Sequence, residues 1–536
     1  MAAPSYTTDL TDVTPTDGTG TWVEMTGYAQ GGTPVTGETD FYIQGTGCVS
    51  AAPARKTGNH SIAFDNSTNI TVPSGECFFI WHVLWTSNGM NTYASNGLGV
   101  IIGSAVGTYY VWQYGGSDVS PNPMGGWKNV AVDPTSTQDS NSGTPTGWRF
   151  IGGVANITVS IAKGNMHAVD IIRYGRGEVI LTDGDSSNGY ATFSGLASQN
   201  DSFTNQWGLF QSVAGGYLWK GLMSLGSTST SVDFRDSNVN ISIDDTPKTY
   251  AAFNKIEVNH ASSNVEWTGI NITALQDAGL GVDSGLSPGN FEMVDNATVD
   301  FDTCTFTDMG TFIFQSNATI DAVTFRRCGQ VTQGGATISN SIFEQSTAAN
   351  SLLASNPTGV TNCSFVSDGS NHAMELTAAC AGNTYSVTGC SFSGYATSDG
   401  STGNEVIYNN SGGAVTLNLS GVTGSVTVRN GTGASTTVNS SVSVTITVKD
   451  ASQTVIPGAR VGVYTNNASR TQIINSSTNA SGIATGSWAG ATPQSVEVRV
   501  RYSPSGSTRY VAFSQIATIS GSGLSLDVTL RQDPNI

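Results

Sequence analysis

The chain has 536 residues, a formal net charge of −18, a pI near 4.5 and only 21 Lys and Arg. Phosphate backbones and anionic membranes select clustered basic side chains, so this balance argues against a nucleic-acid or membrane-surface partner. Abundant Gly (64 residues), Ser, Thr and Asn with 11% charged residues suit turn-rich all-β structure, with room for about three domains.

In chain order, the opening MAAPSYTTDL lacks the basic and apolar regions of a Sec signal. No apolar run reaches the length of a membrane span, so no membrane insertion is expected. From about 60 to 245, short apolar strands alternate with Gly/Asn/Ser turns: HSIAF, CFFIWHVLW, LGVIIG, TYYVWQY, WKNVAV, ITVSIA, AVDIIRY, EVILTD, YATF and WGLFQS. Strands in this rhythm without an intervening helix predict a two-sheet jelly-roll sandwich over 1–250. Within it Tyr109, Trp112 and Tyr114, beside Tyr110, are candidates for stacking on sugars. Alternation along a strand leaves at most half of them outside the core. The loop TDGDSSNG offers Asp183, Asp185 and Ser187 at the spacing of a calcium loop. Asn188 stands where the turn Gly belongs and Ser194 where the bidentate Glu belongs, so a Gly-rich hairpin is the competing reading.

Over 251–440 one six-residue phrase recurs: FDTCTF (301–306), IDAVTF (320–325), ISNSIF (338–343), VTNCSF (360–365) and VTGCSF (387–392). The closing residues Phe306, Phe325, Phe343, Phe365 and Phe392 are 19, 18, 22 and 27 apart, and the growth falls between copies. Insertions go to loops while a stacking unit keeps its length, which is solenoid behaviour. β-branched and aromatic residues without helical periodicity make the unit a rung of a parallel β-helix. The fourth and sixth positions share a face and the first has opposite parity, so all three point inward only if the chain turns between them. The second and third positions, such as Thr361-Asn362, are types that hold corners by side-chain to backbone hydrogen bonds. Phe should stack on Phe, with Cys304, Val323, Ser341, Cys363 and Cys390 in a second column. Fainter rungs at VEWTGI (265–270) and VTGSVT (422–427) extend the coil toward both limits.

The remaining residues, 441–536, change character again. VSVTITVKDASQTVIPGARVGVYTNN, TNASG, SVEVRVRY and LSLDVTL predict seven or so strands of an Ig-like sandwich, with Pro457-Gly458 and Ala480-Ser481-Gly482 as turns. The seven cysteines are odd in number, contain no CxxC and fall partly on inward positions. They read as reduced, buried thiols, and with five histidines no zinc site or other cofactor is expected.

The sharpest chemistry lies in the repeat. Asp302 and Asp321 occupy one corner position of consecutive rungs, which puts their carboxylates roughly 5 Å apart, the separation used by retaining glycosidases. Asp300, Asp308, Arg326, Arg327 and Glu344 could complete a sugar groove. Asp is also an ordinary corner residue, and later rungs carry Ser339, Thr361 and Thr388 there. His260 and His372 have no nucleophile at a recognisable spacing.

The first region resembles concanavalin-like lectin sandwiches, and the last resembles small bacterial and phage Ig-like or carboxypeptidase-regulatory modules. With the repeat between them and no export signal, the whole resembles tailed-phage virion surface proteins of tailspike or fibre type, built on a right-handed parallel β-helix. DFYIQGTGCVS (40–50), GGWKNVAVDP (125–134) and VDFRDSNVNISIDD (232–245) also resemble stretches of phage structural proteins. The resemblance implies a protein made in the host cytoplasm and carried on the virion surface, as head fibre, decoration, tail fibre or spike. Its partners would be other virion proteins, further copies of itself (trimers are common in such proteins) and host surface polysaccharide. A non-enzymatic structural role is the expectation. The alternatives are a β-helix depolymerase cleaving host polysaccharide through Asp302, Asp321 and Glu344, and an exported bacterial adhesin.

Overall fold

The computed structural model describes residues 3–15, 18–29, 33–39, 42–51, 58–85, 93–115, 127–157, 166–184, 189–200, 205–243, 254–274, 289–400, 403–489, 493–504, 508–520 and 523–534. The fold is all-β, with one α-helix among these residues, at Phe193–Asn200. The chain divides into two compact units, Met1–Thr337 with Glu344–Ala348, and Ile338–Phe343 with Ala349–Ile536.

The first unit opens with a sandwich of two antiparallel sheets. One runs Lys128–Val132, Cys77–Trp85, Met166–Gly175, Cys48–Ser50, Val35–Glu38, with Thr11–Asp12 added to Met166–Gly175. The other runs Ser140–Ser142, Thr108–Gly115, Tyr93–Ala105, Trp148–Ile157, Gly58–Ile70, Trp22–Val23. Alternate residues such as Ile62, Phe64, Phe78, Ile80, Val100 and Ile102 fill the space between them.

Antiparallel pairing between the sandwich strands ends at Gly175, and parallel pairing begins at Glu178–Thr182, which pairs with Leu222–Leu225. The coil therefore starts well before residue 251 and takes in EVILTD and WGLFQS, which strand rhythm alone gives to the sandwich. YATF is also not a strand. Thr192 Oγ1 accepts the Gly195 N–H at 2.9 Å and Asp236 Oδ2 accepts that of Phe193 at 2.8 Å, which caps a helix burying Phe193, Leu196, Ala197 and Asn200.

Each turn of the coil gives one strand to each of three parallel ladders. Thr298–Asp302, Thr305–Thr307 and Phe312–Ile313 make one turn, and Ala318–Asp321, Thr324–Arg326 and Val331–Thr332 make the next. The starting edges are closed separately: Ser5–Thr8 pairs antiparallel with Glu178–Thr182, and the Phe210–Val213 strand folds back on Gly216–Trp219. The third ladder is met by the Ala191–Phe234 bridge beside the helix. A polar seam joins sandwich to coil. Arg173 and Trp81 both donate to the Gln206 carbonyl, at 2.7 and 3.0 Å, and buried Lys220 Nζ donates to the Asn129 carbonyl at 2.5 Å.

The recurring phrase is a strand end, a corner and a strand start. Val360, Cys363 and Phe365 are all buried, as are Phe301, Cys304 and Phe306, so the chain turns between positions of opposite parity. The turn is made by a left-handed residue at the third position: Thr303 (φ 53°), Ala322 (53°), Asn340 (51°), Asn362 (55°) and Gly389 (68°). These corners are held mainly by backbone, because the turning residue keeps its N–H in the ladder. Thr303 donates to the Asp321 carbonyl, Asn362 to Thr388 and Gly389 to Ser420, at 2.8–3.0 Å. Side chains add to this, as where Thr303 Oγ1 donates to its neighbour's carbonyl at 2.7 Å. The second column has a role beyond packing, since each corner thiol donates to a carbonyl of the preceding rung, Cys304 to Trp267 at 3.4 Å and Cys363 to Ile338 at 3.6 Å. Ala322 is the corner residue least suited to its angle, because a left-handed L-residue costs about 1–2 kcal/mol and Ala has no side-chain hydrogen bond to offset it. Ala322→Gly should raise stability by about 0.5–1 kcal/mol after its gain in unfolded-state entropy, a rise that urea melts would read.

All seven cysteines are free and buried. Burial, first among the causes, pushes the Cys304 and Cys328 thiols up to about 12 and raises those of Cys380 and Cys390. Ellman's reagent should therefore find no reactive thiol in the native protein and seven in denaturant, and reductant should leave the melting temperature unchanged. Rapid native labelling of Cys363 or Cys390 would contradict the inward column.

In the second unit the coil's ladders include Asn350–Ala354, His372–Leu376, Ile407–Asn409 and Val428–Asn430, and Thr384–Thr388, Ala414–Ser420 and Ser435–Asp450. The strand Ser435–Asp450 is shared. Ser435–Ser441 pairs parallel with Ala414–Ser420, whereas Val442–Asp450 pairs with Ile483–Trp488 and Leu524–Leu530 in the terminal sandwich. The facing sheet runs Gln472–Ser477, Arg460–Thr465, Gln494–Arg501, Phe513–Ile519. Val444, Ile446, Val461, Val463, Val496 and Val498 fill the core between the two sheets.

Candidate functional site

On one ladder of the first unit the outward positions are strongly acidic. In register stand Arg235, Glu266, Asp300 and Thr319, and one pleat further on Ser237, Thr268, Asp302 and Asp321. Asp302 and Asp321 are thus adjacent across the ladder, as the repeat predicts, and both are half-buried. Asp300 bears the consequence. Partial burial first, then the charges of Glu266, Asp302 and Asp321, raise its carboxyl above the ordinary range. Arg235 answers part of this charge, with a two-pronged pair to Asp233 at 2.8 and 3.1 Å and a contact to Glu266 at 3.3 Å. The pairing of Asp302 and Asp321 follows from the corner: the left-handed turn at Thr303 and Ala322 frees the residue before it to face outward in every rung. Chemically, the row offers one carboxyl whose proton affinity is raised by burial and by its neighbours, beside two further carboxyl groups on an exposed strand face.

Glu344 is not part of this row. It lies on the ladder of Thr324–Arg326, where Arg326 Nε engages it at 2.8 Å. Arg327 and Asp308 form a second two-pronged pair at 2.7 and 2.8 Å. The aromatic candidates are corrected. Tyr109 is buried and donates its hydroxyl to the Thr26 carbonyl at 2.6 Å, and Trp112 is buried between the sheets. Alternation leaves neither face of this strand free, because Met25 and Tyr28 cover the side away from the main core. Tyr110 is half-buried against Trp112 and Trp148. The Tyr114 side chain, like Asp185, Ser187 and Asn188, lies outside the described residues. Asp183 is an exposed residue at φ 64° whose N–H donates to the Ser231 carbonyl at 3.1 Å. His260 Nδ1 accepts the Ser262 N–H at 3.1 Å and so shapes a turn. His372 is buried, stacked on Tyr408 at 5.1 Å, with Nδ1 2.9 Å from the Glu405 carbonyl oxygen.

Sequence reasoning passes over a second cluster, the histidines of the sandwich core. His60, His82 and His167 are each 1% exposed, and the Nε2 atoms of His82 and His167 are 2.7 Å apart. Gly153 in the facing sheet leaves room for the His82 ring, since a Cβ there would stand 2.6 Å from Nε2. The signal was present: His60 shares parity with Ile62 and Phe64, and His82 with Phe78 and Ile80. Among the described residues no group of three His, Cys, Asp or Glu side chains is placed to hold a metal ion. No helix among them is long and apolar enough to cross a membrane.

The chain matches no protein-family model. No curated protein matches it either. Among solved structures it is similar to the catalytic domain of a GH87 alpha-1,3-glucanase in complex with tetrasaccharides, at 11% identity and TM-score 0.17, over 81% of this chain and 85% of that one. A second structure of such a domain, with nigerose, gives 11% identity and TM-score 0.16 over 78% and 74%. At these scores neither likeness bears on fold or chemistry.

Proposed function

We propose that this protein is a non-enzymatic structural component of the exterior of a bacteriophage virion, whose terminal sandwich is held toward the host surface. The observation that carries the reading is the shared strand Ser435–Asp450. A linker would let the terminal module swing. A single strand hydrogen-bonded to the coil along its first half and to the sandwich along its second fixes the module's direction, as display at a distance requires. Seven buried free thiols support assembly in a reducing cytoplasm without disulfides. The capped coil edges support a body that resists strand-to-strand aggregation at high copy number. Purified infectious particles should contain the chain by mass spectrometry, and antibody against it should decorate them in electron micrographs. Its absence from particles would overturn the reading. Loss of infectivity with intact particles in a deletion would favour host attachment, and loss of particles would favour a building role.

The adjacency of Asp302 and Asp321, with Asp300 beside them, favours one second reading, a depolymerase acting on host polysaccharide. It requires reducing-sugar release from that polysaccharide that falls at least about a hundredfold in Asp302→Asn or Asp321→Asn while the melting temperature holds.

A further inference from the structure

We propose that the Phe513–Ile519 strand of the terminal sandwich is a homotypic contact, at which two copies of this chain pair antiparallel about a two-fold axis through Ile516. The inference is independent of any virion role. Its sheet has two margins. At one, Gln472–Ser477 packs beside Ile483–Trp488, where a Cβ on Gly486 would stand 2.7 Å from the Ile473 carbonyl. At the other, Phe513–Ile519 pairs with Gln494–Arg501. Leu524–Leu530 lies beside it and bridges at Tyr510–Gln532 and Ser520–Gly523 hold its two flanks, but between those flanks no further strand among the described residues pairs with it. An unpaired row of backbone N–H and C=O groups invites another strand, and proteins ordinarily block it with Lys, Pro, a charge or a bulge. None of those residues is present: Tyr510 to Leu526 contains no Asp, Glu, Lys, Arg or Pro, in a chain of net charge −18. The register to Gln494–Arg501 runs without a shift, so no bulge turns the edge away. Ser514, Ile516 and Thr518 stand exposed on the outer face. Ile516 is 53% exposed, more than any other large hydrophobic side chain among the described residues.

The occupant follows from the order of the residues. FSQIATI matches itself when turned end for end about Ile516: Phe513 meets Ile519, Ser514 meets Thr518, Gln515 meets Ala517, and Ile516 meets its own counterpart. On the outer face this makes an Ile pair flanked by hydroxyl pairs, both favourable cross-strand combinations. On the inner face it continues the row of Phe513 and Ala517, which pack against the sandwich core. An uncharged edge is also where two strongly acidic copies approach with least repulsion. Edge-to-edge pairing of this kind is isologous and closes with two copies. One strand pair lies at the small end of specific interfaces, so association should be concentration-dependent with a Kd on the order of micromolar.

Sedimentation velocity on the full chain, from about 1 to about 100 µM, should show a two-copy species that grows with concentration. Ile516→Lys should raise the dissociation constant at least about tenfold without moving the melting temperature, because the side chain is exposed and the edge then carries a blocking charge. Register is read by cross-linking. Ile516→Cys should form an interchain disulfide on mild oxidation, all seven native thiols being buried, whereas Ser514→Cys should do so only in combination with Thr518→Cys. A single species throughout the range, association untouched by Ile516→Lys, or equal cross-linking by Ser514→Cys alone would each overturn the proposal.

Discussion

Between pH 6.5 and pH 4.5 the N-terminal sandwich should lose about 3 kcal/mol of stability, and a variant with His82→Leu and His167→Leu should not. Both imidazoles are buried, and burial holds the His82 ring down to about 3 and the His167 ring well below its ordinary value, with the neighbouring rings of His82 and His60 adding to the depression of His167. The folded state therefore keeps both rings neutral where the unfolded chain, with ordinary histidines, takes up a proton on each from about pH 6.5 downward. More protons bind the unfolded chain, so stability is full above that pH and falls by about 1.4 kcal/mol per pH unit for each ring until the folded rings titrate. Asp170 works the other way. Burial raises its carboxyl to about 6, against the pull of the N–H groups of Ile43, Ile171 and Gln44 and the charge of Arg173, so the folded state gains that proton first and recovers about 2 kcal/mol by pH 4.5. The remainder is a large share of an ordinary domain's stability. Hydrogen exchange resolved to peptides of Gly58–Ile70 and Met166–Gly175 would follow it. A flat pH profile in the parent, or an undiminished slope in the double leucine variant, would show that the pair carries no such load. At neutral pH the variant should be equally or more stable, because two apolar side chains replace a hydrogen-bonded pair that is costly to bury.

The same cluster shows what was legible in the letters and what was not. Parity would place His82 on the inward row of CFFIWHVLW, a signal the sequence reading passes over, yet which sheet would face it depends on Gly153, far along the chain, and no local pattern carries that pairing. The repeat was legible because each copy contains its own geometry: a corner needs a residue tolerant of positive φ, and the columns of Phe and of Cys, Val or Ser recur at fixed offsets from it. The start of the coil was not. EVILTD satisfies a sandwich strand and a coil strand equally, and only its parallel partner Leu222–Leu225 distinguishes them. Tyr109 misled for a related reason, since alternation marks the side of a sheet a residue occupies and not whether Met25 and Tyr28 cover that side. The register of Asp302 with Asp321 followed directly from the repeat, while the isolation of Glu344 with Arg326 required the ladders themselves.

Phe343→Asp should abolish soluble folding, whereas four residues of Gly and Ser inserted after Gly369 should cost no more than about 1 kcal/mol. Phe343 is 1% exposed and lies parallel on Phe365, with ring centroids 4.6 Å apart and planes 2° apart, and Phe365 in turn stacks on Phe392 at 5.4 Å. Removing such a ring from a core costs about 3–5 kcal/mol in lost transfer energy and cavity, and a carboxylate in its place adds several more, because nothing polar in the column receives it. The sum reaches the whole stability of an ordinary domain. Phe343→Leu, which keeps an apolar side chain in the column, should remain soluble and lose only part of that amount. Gly369 is the opposite case. It sits at φ 99° in the exposed turn between Ser364–Val366 and His372–Leu376, and a Cβ built on it would meet nothing within 4 Å. Lengthening a turn costs closure entropy that grows only with the logarithm of its length, so the penalty is that small term plus the Asp368 to Ser370 hydrogen bonds. Expression in the soluble fraction and thermal melts decide the pair. A soluble Phe343→Asp protein that melts with the parent, or an insertion as damaging as the charge, would mean that the phenylalanine column does not carry the coil.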